Sequence, residues 1–392
     1  MLEVDAALRT VLEHARPLAA RAAAPTLGRA LGEGLTADLD SPPFAKALMD
    51  GYAIRSADLR DGHGTFAVLE EIAAGAVSTL AVTAGRATRI FTGAKLPDGA
   101  DAVVKQELAV VAADGRVTLN DPSATPGRNV MGRGREMRAG EVVLPKGTVL
   151  TPAALGVCAT VGRATALQVP SPTVAIVTTG DELVEAGVTP TGAQIRNSNG
   201  PMLAGLVGRA GGVPRGLGTA RDDEAALTAV VRDGLTADVL LLVGGVSVGT
   251  FDLVPQVLAS LGVTAHFHKV RMKPGKPLFF GSLGDTLVFG LPGNPVSAFV
   301  CFELFVRPAL RVLAGLPPAW CPPLSGELAE PFAASNDRPT FHPVRLAGTR
   351  VTPLPWFGSA DLRGLLAADA LWQLPAGDVR YAAGDAVTVV PI

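Results

Sequence analysis

The sequence predicts a multidomain α/β protein, built around a three-layer α/β domain with a mainly parallel sheet. Two observations predict this class. Short apolar runs alternate with helical spacing between residues 172 and 315, and the run at 238–243 has the composition of a strand buried on both faces. Glycine-rich turns at 244–249 and 290–293 each follow a predicted strand and lead into a predicted helix.

Three further domains complete the predicted organisation. Residues 1–40 and 137–165 form an elongated N-terminal α+β linking domain, 41–136 a small β-rich insert, 166–315 the α/β domain and 316–392 a C-terminal all-β domain. Within the first domain we predict a helix from Val4 to about Ala23 and a short helix around residues 28–33. The apolar run 298–316 carries charged residues and predicts a core helix rather than a membrane span.

The composition argues against several classes of partner. The chain has 34 Lys and Arg residues and 36 acidic residues, for a net charge of −2. It therefore lacks the excess of positive charge that is typical of proteins that bind nucleic acid or an anionic membrane. Acids interrupt residues 1–20, so no signal peptide is expected there. Cys158, Cys301 and Cys321 have no metal-ligand spacing. We therefore expect a cytoplasmic protein.

The lysines are concentrated beside the glycine turns. Three of only seven, Lys269, Lys273 and Lys276, fall within eight residues, and Pro274 and Pro277 stiffen that segment. The alternative is a solvated surface loop. Because backbone N–H groups and a helix N-terminus also converge on anions at such turns, we favour an oxyanion-binding site.

Acidic residues follow several predicted strands of the α/β domain. Asp181, Glu182, Asp222 and Asp252 lie at the sheet edge where such domains bind ligands, and several oxygen ligands there suit Mg²⁺. The alternative is helix capping, particularly for Asp222. Asp50 follows a proline-rich segment in Met49-Asp50-Gly51, where an ordinary Asp-Gly turn is the alternative to an exposed acid at a domain edge.

Four motifs follow one another along the chain: Met-Asp-Gly-Tyr-Ala from residue 49, Gly-Gly-Val-Ser-Val-Gly from 244, Lys-Pro-Gly-Lys-Pro from 273 and Gly-Leu-Pro-Gly-Asn-Pro-Val-Ser from 290. This ordered set resembles the motifs of the MoeA family of molybdopterin molybdenumtransferases. The E domains of gephyrin and of the plant molybdenum insertase are similar to this family. The resemblance implies Mg²⁺-dependent insertion of molybdate into adenylylated molybdopterin, with release of AMP and molybdenum cofactor.

The resemblance also implies roles for individual residues. The catalytic residues would be Asp50, Glu136, Lys269, Lys273 and Lys276. The substrate-binding residues would be Thr92, Gly180, Gly244, Gly245, Ser247, Gly249, Pro292, Gly293, Asn294, Ser297 and Ser359. The magnesium ligands would be Glu182, Asp222 and Asp252. A homodimer with shared active sites is implied, as are contacts with other cofactor-biosynthesis proteins.

The sequence departs from the family pattern in three places. Ala45-Lys46-Ala47 replaces Asp-Asn-Ser, Glu136 replaces an aspartate, and Pro343 replaces an arginine of the last domain, with Arg345 the nearest substitute.

Two other functions are compatible with parts of the sequence. A molybdopterin adenylyltransferase shares the α/β domain but normally lacks the Met-Asp-Gly-Tyr domain, so residues 1–165 argue against it. A non-enzymatic scaffold like gephyrin is the other alternative. The retention of Asp50, Asp252 and the three clustered lysines argues for a surviving catalytic site.

Overall fold

The computed structural model describes residues 1–221, 223–245, 253–319 and 323–392. The chain divides into two compact units. The first comprises Met1–Gly32 and Ala166–Ile392, and the second comprises Glu33–Thr165. Both contain sheets and helices, and the predicted multidomain α/β class is confirmed.

The first unit contains a six-stranded sheet whose central strand is fully buried. In spatial order its strands are Val213–Ala220, Thr173–Thr179, Val239–Val243, Thr286–Leu291, Phe279–Leu283 and Thr264–Phe267. The first four are parallel. Phe279–Leu283 pairs antiparallel with Thr286–Leu291, and Thr264–Phe267 pairs antiparallel with Phe279–Leu283 at the edge of the sheet. The sequence analysis missed these two edge strands, which flank the lysine-rich segment.

Helices cover both faces of this sheet, as the predicted three-layer arrangement requires. They are Val4–His14, Asn199–Arg209, Glu224–Gly234, Leu253–Ser260, Pro295–Cys301 and Arg307–Leu313, with a π-helical turn at Phe302–Val306 between the last two. Side chains of the central strand alternate between two apolar cores: Leu241 and Val243 belong to one, and Leu240 and Leu242 to the other. Alternation of this kind follows from the two-residue period of a strand.

The N-terminal helix is shorter than predicted. It ends at His14, and Arg21–Ala23 instead pairs antiparallel with Ala166–Gln168. Residues 28–33, all of which the structure describes, form no helix either, so both expectations were wrong. The first error has a local cause, because Pro17 disfavours a helical conformation at the preceding residue and lacks an N–H donor.

The long apolar run at 298–316 is a core helix, as predicted. The buried Glu303 of its π-helical turn pairs with Arg307, at 3.0 Å, and with Arg209. Burial raises the pKa of Glu303, and the two guanidinium groups oppose that rise. Among the described residues, no helix is both long and apolar enough to cross a membrane.

The C-terminal part of the first unit is a closed β-barrel. Its strands are Leu324–Leu328, Arg350–Pro353, Thr340–Ala347, Ala370–Leu374 and Ala386–Pro391. Phe332–Asn336 and Gly377–Tyr381 pair beside it, and a short 3-10 helix spans Leu362–Leu365. Val344, Trp372 and Val389 pack in the barrel core. The short parallel pair Leu183–Val184 and Ile195–Arg196 belongs to the α/β part of the unit.

The second unit is built on another six-stranded sheet. Its strands, in spatial order, are Ala102–Lys105, Gly51–Ile54, Arg86–Ile90, His63–Ile72, Arg116–Asn120 and Ala109–Val111. Two small pairs accompany it, Lys46–Ala47 with Val130–Met131 and Leu35–Thr36 with Val142–Leu144. Short 3-10 helices lie at Ser56–Asp58 and Gln106–Leu108. Helix Pro152–Thr160 begins as predicted, because the Thr151 hydroxyl accepts a hydrogen bond from the Ala154 amide at 3.2 Å.

Candidate active site

Two adjoining cavities lie in the first unit. The larger, a cleft of about 1130 Å³, is lined by residues that follow the three central parallel strands, including Gly180, Gly244 and Gly293. The smaller, of about 700 Å³, lies between the lysine segment 272–277 and loops of the C-terminal barrel. Pro277, Pro292 and Asn294 line both cavities. This is the strand edge at which ligands bind in α/β proteins.

The turn after the central strand requires glycine. Gly244 and Gly245 have φ angles of 93° and 60°, and a Cβ atom on Gly244 would lie 2.6 Å from the Thr179 carbonyl oxygen. The Gly244 amide donates to the Leu291 carbonyl at 3.2 Å, so Gly244 contributes space rather than a free donor. Of the other residues predicted here, Ser247 and Gly249 lie outside the described part of the chain.

Hydrogen bonds hold the second turn in place. The Asn199 side chain donates to the Gly293 carbonyl at 2.7 Å, and the next helix begins at Pro295. Asn294 Nδ2 donates to Ser359 Oγ at 3.0 Å, and the Val296 amide donates to the Ser359 carbonyl at the same distance. The predicted residues Asn294 and Ser359 therefore meet, although they belong to the α/β and barrel parts of the unit.

Two of the three clustered lysines line the smaller cavity. Lys273 and Lys276 are exposed, and they line this cavity together with the buried Ser297 and the half-buried Ser359. The backbone of Lys273 is held by the barrel, because its amide donates to Pro339 at 2.8 Å and its carbonyl accepts from the Phe341 amide at 2.7 Å. Lys269 lines neither cavity, and its carbonyl accepts from the Leu2 amide at 3.1 Å.

One of the three predicted magnesium ligands is described. Glu182 is exposed and lines the larger cleft, where its carboxylate offers the hard oxygen donors that Mg²⁺ prefers. Asp222 and Asp252 lie outside the described residues. Within the described part of the chain, no group of three acidic, histidine or cysteine side chains is placed to hold a metal.

The predicted residues of the second unit form two polar contacts of their own. Both the amide and the hydroxyl of Thr92 donate to Asp50 Oδ1 at 2.8 Å, and these hydrogen bonds lower the pKa of Asp50. Glu136 accepts a hydrogen bond from the Ser41 hydroxyl at 2.8 Å and lies 3.4 Å from Lys46 Nζ. The hydrogen bond from Ser41 and the charge of Lys46 lower the pKa of Glu136. Both acids are therefore ionised at neutral pH.

The sequence analysis missed residues in both cavities. Arg196, Ser198 and Asn199 line the larger cleft, and Arg338 and Trp356 line the smaller one. Arg345, the expected substitute for the missing arginine, lies on the exposed side of strand Thr340–Ala347 and does not line the cavity. The sequence feature that could have pointed to Arg338 is the Arg-Pro pair at 338–339, directly before this strand.

Fold and cavities define a multidomain α/β protein with a ligand cleft beside a cationic cavity. Models of the MoeA N-terminal region (domains I and II), a probable molybdopterin-binding domain and the MoeA C-terminal region (domain IV) match residues 2–162, 175–312 and 325–392. The chain is similar to a molybdopterin molybdenumtransferase of Staphylococcus aureus strain COL, with 34% identity over 93% of this chain and 89% of that protein.

Two further similarities cover almost the full chain. Molybdopterin molybdenumtransferase 2 of Mycobacterium tuberculosis strain H37Rv is 36% identical over 97% of this chain and 99% of that protein. The crystal structure of a molybdopterin biosynthesis MoeA protein from Pyrococcus horikoshii OT3 matches with a TM-score of 0.84, 28% identity and full coverage of both chains. The chain belongs to the MoeA family, whose members act in molybdenum cofactor biosynthesis.

Proposed function

We propose that this protein inserts molybdate into adenylylated molybdopterin in the cytoplasm and releases AMP and molybdenum cofactor. The observation that carries the proposal is the pair of adjoining cavities, because the reaction joins two anions of very different size. The larger cleft has the volume of a ligand pocket for an organic molecule. The smaller one presents two ammonium groups and two serine hydroxyls.

The side chains of the smaller cavity fit a tetrahedral oxyanion. Lys273 and Lys276 supply positive charge, and the hydroxyls of Ser297 and Ser359 supply hydrogen-bond donors. The backbone bonds between Lys273 and residues 339 and 341 fix the main chain that carries one of these cations. Prearranged charge of this kind stabilises charge that develops during reaction without later reorganisation.

The larger cleft fits the adenylylated pterin. Glycine turns at 244–245 and 292–294 let backbone approach a phosphate closely, and Asn199 keeps the second turn in position. Mg²⁺ would be held by Glu182 with Asp222 and Asp252, where it would neutralise phosphate charge. Asp50 and Glu136 are the proposed acids of the second unit, each ionised and held by hydrogen bonds.

The relatives favour this activity over the alternatives. Proteins that carry the transferase name match along 93% and 97% of the chain, including the N-terminal region that an adenylyltransferase normally lacks. A pure scaffold would have no need of a cationic cavity beside the cleft. We further propose that the protein forms a homodimer whose active sites are shared between the two chains, and that it contacts other proteins of molybdenum cofactor biosynthesis.

One assay tests the proposal directly. Purified protein is mixed with adenylylated molybdopterin, Mg²⁺ and molybdate, and AMP release is measured together with reconstitution of an apo-molybdoenzyme. We expect both signals to require molybdate. Consumption of ATP with synthesis of the adenylate would instead identify an adenylyltransferase, and the absence of either reaction would favour a scaffold.

A further inference from the structure

Two histidine rings stack where the N-terminal helix meets the edge of the six-stranded sheet. His14 is the last residue of helix Val4–His14, and His266 belongs to the edge strand Thr264–Phe267. Their ring centroids are 3.8 Å apart, and the ring planes make an angle of 37°. Phe280 packs against both rings, with its centroid 5.8 Å from that of His14 and 5.3 Å from that of His266. Both imidazoles are half-buried, and neither lines the two adjoining cavities.

The surrounding chain fixes the orientation of both rings. The Thr10 carbonyl lies 2.8 Å from Nδ1 of His14, and because a carbonyl only accepts, this nitrogen carries the hydrogen atom. His266 Nε2 lies 2.9 Å from the Ser282 hydroxyl. The pairing of the edge strand also shifts register at His266, and such bulges re-aim a side chain. The stack is therefore held by contacts on both elements.

No opposite charge neutralises this pair of rings. Among the described residues, neither imidazole forms an ion pair with an acid. The charged and titratable side chains on the elements around the stack are exposed or make contacts of their own. Asp5, Arg9, Glu13, Arg16 and Asp285 are exposed, His268 contacts Phe279, Glu303 pairs with Arg307, and Arg311 donates to the Pro317 carbonyl.

The energy of the stack depends on pH. Burial lowers the pKa of His266, and the charge of His14 lowers it further. The stabilisation that neutral His266 provides is therefore present above the ordinary histidine pKa of about 6.5, and it is lost as the pH falls from there through the folded value. A proton on each ring would place two like charges on rings whose centroids are 3.8 Å apart.

The helix that carries His14 is tied to the sheet at its other end. The Leu2 amide donates to the Lys269 carbonyl at 3.1 Å, and the Arg271 amide donates to the Leu2 carbonyl at 2.7 Å. Val11, one turn before the stack, is buried in the apolar core. Repulsion between the rings therefore acts on the last turn of the helix, far from the backbone bonds that hold its start.

We propose that the His14–His266 stack is a pH-sensitive latch, which holds the last turn of the N-terminal helix on the sheet edge at neutral pH and opens it in mildly acidic solution. The close stack, the fixed rings and the lack of a neutralising acid among the described residues carry this inference. It is independent of the proposed function, because neither ring lines the cleft or the smaller cavity.

Hydrogen–deuterium exchange of the full-length protein tests the latch. The opening constant of the amides at 11–15 is compared at about pH 7.5 and about pH 5.5, after correction for the intrinsic exchange rate. In the wild type it should rise about tenfold or more on acidification, because like charges replace a neutral stack. His266→Phe keeps an aromatic ring that cannot take a proton, so its opening constant should change little with pH.

His268→Phe is the matched control. Burial lowers the pKa of His268 as well, but its ring packs against Phe279 instead of against His14. This variant should keep the pH dependence of the wild type. Loss of the pH dependence in His268→Phe, with its retention in His266→Phe, would overturn the latch.

A histidine NMR titration measures the coupling between the two rings. In His14→Phe the pKa of His266 should rise, because one cause of its lowering is removed, and it should stay below the ordinary value, because the burial remains. An unchanged pKa of His266 in this variant would overturn the proposal. So would a wild-type opening constant that does not change with pH, a measurement that requires no substitution. Thermal unfolding at neutral pH checks the fold of each variant.

Discussion

Lys46 and Glu136 form an ion pair, with 3.4 Å between Nζ and Oε1. Each residue stands where the sequence departs from the family pattern, and the structure brings these two departures together within the second unit. The extra methylene of Glu136 lengthens the carboxylate arm, and the same carboxylate also accepts the hydrogen bond from Ser41. We infer that the two substitutions are complementary and that they keep an ionised carboxylate at this place.

The first prediction concerns the pKa of Glu136. Ser41→Ala should raise this pKa toward the ordinary glutamate value, because the hydrogen bond from Ser41 is the largest single cause of the lowering, and Lys46→Ala should raise it as well. The measurement is a carbon-detected NMR titration of the carboxyl group. Lys146→Ala, which removes an exposed lysine elsewhere in the unit, is the control. An unmoved pKa in Ser41→Ala would contradict the assignment.

The second prediction concerns Asp50 and Thr92. Thr92→Val removes the hydroxyl donor but keeps the backbone donor, so the pKa of Asp50 should rise only part of the way to its ordinary value. Because the folded-state pKa is lowered, the stabilisation that Asp50 provides is present above the ordinary aspartate pKa. It is lost as the pH falls through the folded value.

This shift should also appear in the activity. If ionised Asp50 is required, the acid limb of AMP release should move to higher pH in Thr92→Val, while the plateau rate at neutral pH changes little. Asp50→Asn should abolish the activity at every pH. A wild-type acid limb in Thr92→Val would mean that another group sets it.

The third prediction separates the clustered lysines. Lys273→Ala and Lys276→Ala should each lose about 1.5–3 kcal/mol of molybdate binding, the usual contribution of a hydrogen bond to a charged group. The molybdate dependence of AMP release measures the loss. Lys269→Ala is the informative comparison, because Lys269 lines neither cavity. If Lys269→Ala loses AMP release but still binds molybdate, Lys269 takes part in catalysis without contacting the oxyanion.

The fourth prediction concerns the metal. Glu182→Gln should raise the Mg²⁺ concentration needed for AMP release, because the amide keeps the shape of the side chain and removes its charge. Asp252→Asn, at a residue outside the described part of the chain, should stop adenylate turnover while the fold survives. Circular dichroism checks the fold of both variants. Undiminished activity in EDTA would refute the metal assignment.

The fifth prediction is that two chains share each active site. Asp50→Ala and Asp252→Ala proteins should each be inactive, yet random re-association should restore roughly a quarter of all sites, since one cleft of each mixed dimer carries neither lesion. Glu136→Ala with Asp252→Ala should behave in the same way. AMP release after co-denaturation and refolding measures the recovery. If the dimers are shown to have exchanged subunits and AMP release still does not return, both acids of each active site belong to one chain.

Local sequence determined the elements that depend on local physics. The run of apolar residues in Val239–Val243 predicted a strand buried on both faces, and Thr151 with Pro152 predicted a helix start, since periodicity and capping involve neighbouring residues. The motifs located both glycine turns and the lysine segment. Of the residues that the family resemblance implied, Lys273, Lys276, Ser297 and Ser359 line one cavity.

Tertiary structure decided what depends on distant partners. Arg21–Ala23 is a strand because residues 166–168 offer it hydrogen bonds, and no local pattern contains that information. Arg338 lines the cavity because the backbone of Lys273 pairs with residues 339 and 341. Arg345, nearer in sequence to the missing arginine, faces outward because strand residues alternate between the two faces and the buried Val344 precedes it. The position of a charge in the folded chain is set by such long-range pairing, which spacing along the sequence does not encode.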